Sequence, residues 1–158
     1  MDLKIKDGNS KFKCRVNGII LKDDKVLVVE ICNNGFYCFP GGHVGLLEDS
    51  KSAVVREMKE ETGYDCKIEN LTSVVESFFK GKEGANFHEI SFYYLLKVKD
   101  DVQTIDREIV ENDNGKMVSL KFKWVKYSEI DQIDFRPNVL KDKIKNQNWE
   151  FEHIISYQ

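Results

Sequence analysis

The sequence predicts an α+β sandwich with a mixed β-sheet, rather than a doubly wound parallel sheet. Two observations predict it. Strand-like apolar segments follow one another on both sides of a single clear helical pattern, Ser50 to Thr62, with a second helical pattern only near the end. Turn-forming clusters separate the strands, and no regular alternation of strand and helix emerges.

The elements follow in order. Phe12 to Leu21 alternates and then turns apolar, Lys22-Asp23-Asp24-Lys25 forms a turn, and Val26 to Ile31 completes a β-hairpin. After Asn33-Asn34-Gly35, the short strand Phe36-Tyr37-Cys38-Phe39 is stopped by Pro40-Gly41-Gly42. Asp49 or Ser50 can cap the helix, and Gly63 stands where a left-handed C-cap belongs. Strands are expected around Cys66–Phe79 and Glu89–Val98, with a hairpin signal at Asn114-Gly115. Beyond it Val118, Leu120, Phe122 and Trp124 alternate with polar residues, so one face is buried. Asn138 to Lys145 reads as helix.

At 158 residues the chain suits one domain, 1–158, with one core. Hydrophobic residues at 41% and charged residues at 32% argue against disorder. A net charge of −3 offers no global basic field for nucleic acid, and no stretch reaches membrane-span length. Met1 to Lys6 lacks the apolar core of a signal peptide. Cys14, Cys32, Cys38 and Cys66 form no CxxC pair and are expected to be buried free thiols in a reducing cytoplasm.

Arg56-Glu57-Met58-Lys59-Glu60-Glu61-Thr62-Gly63 carries the chemistry. At 3.6 residues per turn, Glu57, Glu60 and Glu61 share an arc of about 100°, beside Val54, Val55 and Met58. Such carboxylates repel by roughly 0.2–0.5 kcal/mol per pair, which a solvated face tolerates readily. Alone, the helix therefore reads as a wet surface. The other reading is a set of hard oxygens for divalent cations.

Residues upstream favour the second. Gly42, five residues, Glu48, seven residues, Arg56-Glu57-Met58, one residue, Glu60-Glu61, one residue, Gly63 resembles the Nudix box, G-x5-E-x7-R-E-U-x-E-E-x-G-U, where U is bulky and aliphatic. The resemblance implies a Nudix-type (MutT-like) α/β/α sandwich with a central mixed β-sheet over nearly the whole chain. It implies a pyrophosphohydrolase that cleaves a diphosphate linkage in a nucleoside di- or triphosphate derivative. Tyr64 departs from the last U position, and Gly45-Leu46-Leu47 replaces a Glu-Pro-Gly found in many members.

By the same resemblance, Glu57, Glu60 and Glu61, with the Gly42 carbonyl, hold Mg²⁺, for which Mn²⁺ can substitute. Arg56 pairs with Glu57 or Glu48. A distal glutamate often precedes the Trp-containing strand in relatives, but Val118 and Ser119 stand there. Glu111 and Glu89 are the candidate bases outside the box, and a box glutamate could serve instead. For substrate binding, Phe36 and Tyr37 could stack on a base, Asn138 could read a purine edge, and Arg15 and Lys80 could meet phosphate. Core packing for Phe36, helix N-capping for Asn138 and a solvated face for Arg15 and Lys80 stay open.

The proline common in ADP-ribose-cleaving members is absent near Ser77-Phe78-Phe79-Lys80, as are dinucleoside-polyphosphate, NADH and coenzyme A markers. A non-catalytic nucleotide-binding module is expected to have a broken box, and here every box carboxylate is present. An RNA 5′-end hydrolase is disfavoured because no Lys/Arg cluster beside aromatics is evident. Glu111 to Gly115 lacks the remaining ligands of an EF-hand and reads as a turn. The expected partner is a small nucleotide, with no membrane and room for a homodimer.

Overall fold

The computed structural model describes residues 1–99, 108–113 and 116–158, with the backbone alone for 108–113 and 116. Ten strands are β1 (Lys4–Asp7), β2 (Ser10–Lys22), β3 (Lys25–Ile31), β4 (Phe36–Cys38), β5 (Gly41–His43), β6 (Cys66–Lys80), β7 (Asn86–Val98), β8 (Glu108–Asp113), β9 (Lys116–Lys126) and β10 (Glu152–Tyr157). Among the described residues two α-helices join them, α1 (Ser50–Thr62) and α2 (Lys141–Lys145). The strands form one mixed sheet in the order β10-β6-β7-β2-β3-β9-β8, with β1 and β5 on β2 and β4 on β3. β2 runs parallel to β7 and β10 parallel to β6, while β6–β7 and β3–β9 are antiparallel.

Each sheet face is buried by a different layer. On one, Ala53, Val54 and Met58 of α1 pack with Val16, Ile20, Leu27, Val29 and Phe122. On the other, Leu140 and Ile144 pack with Ile19, Val26, Val28, Phe39, Tyr93 and Phe135. The period of two along β2 sends Val16 and Ile20 to the α1 side and Ile19 to the α2 side. The result is the expected α/β/α sandwich.

Several details differ from the sequence expectation. Lys4–Asp7 is a strand paired with β2, and the last residues form β10, whose six positions run beside Ser73–Phe78. The late helix is shorter, because Asn138–Leu140 is a 3-10 turn and only Lys141–Lys145 is α-helical. The hairpin at Asn114-Gly115 lies outside the described residues, although Asp113 and Lys116 pair on either side of it. All four cysteines are free, but Cys32 is exposed and Cys14 and Cys38 are half-buried, leaving Cys66 as the buried one. Among the described residues no helix is long and apolar enough to cross a membrane.

Candidate active site

The α1 boundaries follow from its caps. Asp49 Oδ1 accepts the amides of Lys51 and Ser52, both at 3.0 Å, and satisfies two of the orphan donors of the first turn. Gly63 ends the helix at φ 78°, ψ −2°, its amide donating to Lys59 O at 3.0 Å. Between these caps the apolar stripe fixes the rotation of α1, so Glu57 and Glu61 turn toward β5 and Glu60 toward solvent.

Arg56 is the hub. Its Nε and Nη2 form a fork on Glu48 Oε1 and Oε2 at 2.7 and 2.9 Å, and Nη1 donates to Glu57 Oε1 at 2.8 Å. The same Nη1 reaches Glu60 at 3.3–3.4 Å, and Nη2 also donates to His43 O at 3.2 Å. Hydrogen bonds from Arg56 and the Gly45 amide hold the Glu48 carboxyl below its ordinary pKa. Bonding to Glu48, and then to Glu57, raises the pKa of Arg56 despite partial burial.

Glu57 and Glu61 meet the β5 backbone. Glu61 is 5% exposed, and its Oε2 accepts the Gly41 amide at 3.1 Å. At Gly42 a Cβ would collide with the Glu57 carboxylate, so any larger residue there displaces that group. β5 is anchored in turn by its pairing with β2, Arg15 opposite His43 and Asn17 opposite Gly41.

The α2-side face of β2 adds Arg15, which lies beside Ser91 of β7. Burial disfavours the charged form of Arg15, but the fields of Glu89 and Glu61 contribute to a net rise in its pKa. Glu89 Oε1 accepts from Ser91 Oγ at 2.8 Å. Nearby, burial pushes the Cys38 thiol up to about 12 and also raises Tyr93, so both are neutral at pH 7. His43 is pushed down to about 3, first by burial and then by Arg15, Lys4 and Lys13. Its 3.8 Å approach to Asp2 is therefore no ion pair at neutral pH, and its buried Nε2 has no hydrogen-bond partner.

The structure thus gathers Gly42, Glu48, Arg56, Glu57, Glu60 and Glu61, with Arg15 and Glu89 adjoining. Tyr37 lies elsewhere on its strand's surface, with Lys123 Nζ 5.5 Å from its ring. Phe36 carries the Arg136 guanidinium 4.5 Å above its ring and is not core. Asn138 is exposed within the 3-10 turn and caps no helix, since no side-chain bond caps either helical segment there. Glu111 is opposite Val118 in β8, the edge strand, and its side chain lies outside the described residues. Sequence reasoning missed His43, whose signal was its place directly after Gly42, and Arg136, which had none.

A divalent cation fits the chemistry of this donor set. Hard carboxylate oxygens from Glu57, Glu60 and Glu61 share one helix end with the β5 backbone. Among the described residues no three His, Cys, Asp or Glu side chains converge into a ready cage. Mg²⁺ needs only one or two protein carboxylates, completing its shell with water and phosphate oxygens.

The NUDIX domain family model matches residues 12–147. The chain belongs to the NUDIX family. This NUDIX chain is 42% identical over 104 residues to an ADP-ribose pyrophosphatase of Methanocaldococcus jannaschii, covering 64% of the chain and 56% of the relative. It is 33% identical over 67 residues to a MutT-like protein of Streptomyces ambofaciens, covering 42% and 44%. The match thus spans about half the length of these relatives. Among solved structures, a MutT protein from Bacillus halodurans superposes with a TM-score of 0.63 at 18% identity, covering 92% of this chain and 89% of that one. An ADP-ribose pyrophosphatase from Streptococcus suis gives 0.57 at 16%, covering 92% and 98%. At these identities the structural likeness establishes the NUDIX fold.

Proposed function

We propose that this protein is a Mg²⁺-dependent pyrophosphohydrolase acting on a nucleoside diphosphate derivative, with an ADP-ribose-like compound as the first substrate to test. The observation that carries the reading is the Arg56-centred carboxylate cluster seated on Gly41 and Gly42. The named relative supports the choice of substrate.

Glu57, Glu60 and Glu61, with the Gly42 carbonyl, would hold Mg²⁺, and Mn²⁺ would substitute. When bound, the metal neutralises phosphate charge and lowers the pKa of a coordinated water. Arg56 orients Glu48 and Glu57 through its fork and single bond. Arg15 supplies a fixed positive charge for a phosphate oxygen. Glu89, on the same sheet face, takes the proton of the attacking water; Glu111 is the other candidate base. Water attacks one phosphorus in line, the bond to the bridging oxygen breaks, and each half leaves as a phosphomonoester. Phe36 or Tyr37, which point to opposite faces of β4, would stack on the base, with Asn138 at its edge.

A panel of nucleotides, nucleotide sugars and dinucleotides, assayed for phosphate products with Mg²⁺ or Mn²⁺, tests the reaction. ADP-ribose should yield AMP and ribose 5-phosphate, and no turnover across the panel would reject the reading. Glu60→Gln should lose at least about tenfold in kcat, since removing a group that stabilises transition-state charge costs roughly 10²–10³ in known cases. Wild-type activity in that variant would sink the metal assignment.

A further inference from the structure

The expectation of no Lys/Arg cluster beside aromatics fails at β2, where Lys11 and Lys13 flank Phe12, and pairing with β1 adds Lys4 and Lys6. Lys4 lies directly opposite Lys13, and Lys6 opposite Lys11. Cross-strand partners share a sheet face, so four ammonium groups form a two-by-two lattice. The Nζ atoms of Lys11 and Lys13 stand 5.3 and 5.0 Å from the centroid of the Phe87 ring. Phe79 stacks beside that ring at 5.0 Å.

Lys11, Lys13 and Arg15 are alternate residues of one strand, so they form a row at intervals of about 7 Å. The row ends at Arg15, opposite His43, whose buried Nε2 has no hydrogen-bond partner. On this face, among the described residues, the countercharges are Asp2, 2.9 Å from Lys4, and Glu89, in register with Lys13. Like charges placed directly opposite destabilise a sheet. This local excess of cations in a chain of net charge −3 therefore calls for an anion.

The geometry points to a phosphate subsite made by Lys4, Lys6, Lys11 and Lys13, which takes a phosphoryl group carried by the substrate beyond the cleaved diphosphate. The position rests on the proposed function, because Arg15 beside the carboxylate cluster marks where the cleaved linkage lies. The additional group would sit about 7–14 Å along β2 from Arg15. A phosphomonoester on a ribose and a phosphodiester to a linked nucleotide offer the same chemistry.

Two matched substrate pairs test the subsite and separate those sources: ADP-ribose against 2′-phospho-ADP-ribose, and a nucleoside triphosphate against a 5′-triphosphorylated dinucleotide. Exposed charge pairs are worth roughly two- to fivefold each, so two lysines should give about a tenfold preference in kcat/KM. The preference should appear in at least one pair and fall toward unity in Lys11→Gln/Lys13→Gln, while turnover of the unphosphorylated partner stays within about twofold. No preference in either pair, or one unchanged in the double variant, overturns the subsite. If no compound is turned over, the hydrolase reading fails separately, and calorimetry with tripolyphosphate and pyrophosphate in EDTA decides the lattice. Tripolyphosphate should bind the wild type at least fivefold more tightly than the variant, and equal binding overturns the proposal. Should that variant not fold, Lys6→Gln/Lys11→Gln replaces it with the same outcomes.

Discussion

An alanine at Gly42 would place its methyl group against the Glu57 carboxylate, closer to all three terminal atoms than a real Cβ packs. The end of a side chain can yield, so Glu57 would swing away and lose its 2.8 Å bond to Arg56. Hydrogen bonds to charged groups contribute roughly 1.5–3 kcal/mol. With the Arg56 side chain 38% exposed, solvent screening reduces this to about 1 kcal/mol. In a chain of this size that is a fall in Tm of about 2–4 °C. Activity should suffer more, since a misplacement of about 1 Å at a reacting centre can cost 10²-fold. Gly41→Ala is the control, because its methyl would strike Val16 O and lie 2.8 Å from Asn17 Cα, both of them backbone. That clash can be relieved only by parting β5 from β2, so overpacking of at least about 1–3 kcal/mol is expected. Thermal unfolding and kcat/KM on the best panel substrate measure both variants. The reasoning is refuted if Gly42→Ala keeps wild-type kcat/KM, or if it loses as much Tm as Gly41→Ala.

Asp49→Ala removes the acceptor of two helix amides and should lower the midpoint of denaturant unfolding, with the box carboxylates still competent. Met58, fully buried under the sheet, should cost about 2–5 kcal/mol as Met58→Ala, and a loss under 1 would contradict the packing described. Acid sensitivity has a specific source in Glu48, whose folded pKa lies below its ordinary 4.5. The unfolded chain therefore takes up that proton first, so stability is full above about 4.5 and falls as pH drops through the lower folded value. Unfolding curves of Glu48→Gln should show a flatter pH dependence in that window.

The helix was legible residue by residue because its signals are local: Asp49 or Ser50 before it, Gly63 after it, and Val54 and Met58 at helical spacing. Spacing also placed the glutamates on one face. What it left open was which group each carboxylate meets, since Gly41 and Glu61 are twenty residues apart and join only through β2–β5 pairing. The edge strands escaped for a related reason. Lys4–Asp7 and Glu152–Tyr157 are largely exposed and carry little apolar pattern, so their strand form comes from partners supplied elsewhere. The lysine lattice exists only in that register. The expectation of a longer late helix failed where Asn138 starts a 3-10 turn without a side-chain cap.

The grip of Glu57 and Glu61 on β5 bears on how such a chain can drift over generations. A substitution at Glu61 removes the buried acceptor of the Gly41 amide, so it is opposed by folding before any loss of turnover is felt. Glu60, with its side chain 59% exposed and held by Arg56 Nη1 at only 3.3–3.4 Å, has no such protection. A descendant that abandons hydrolysis and keeps its shape should therefore lose Glu60 first and retain Glu61 longest.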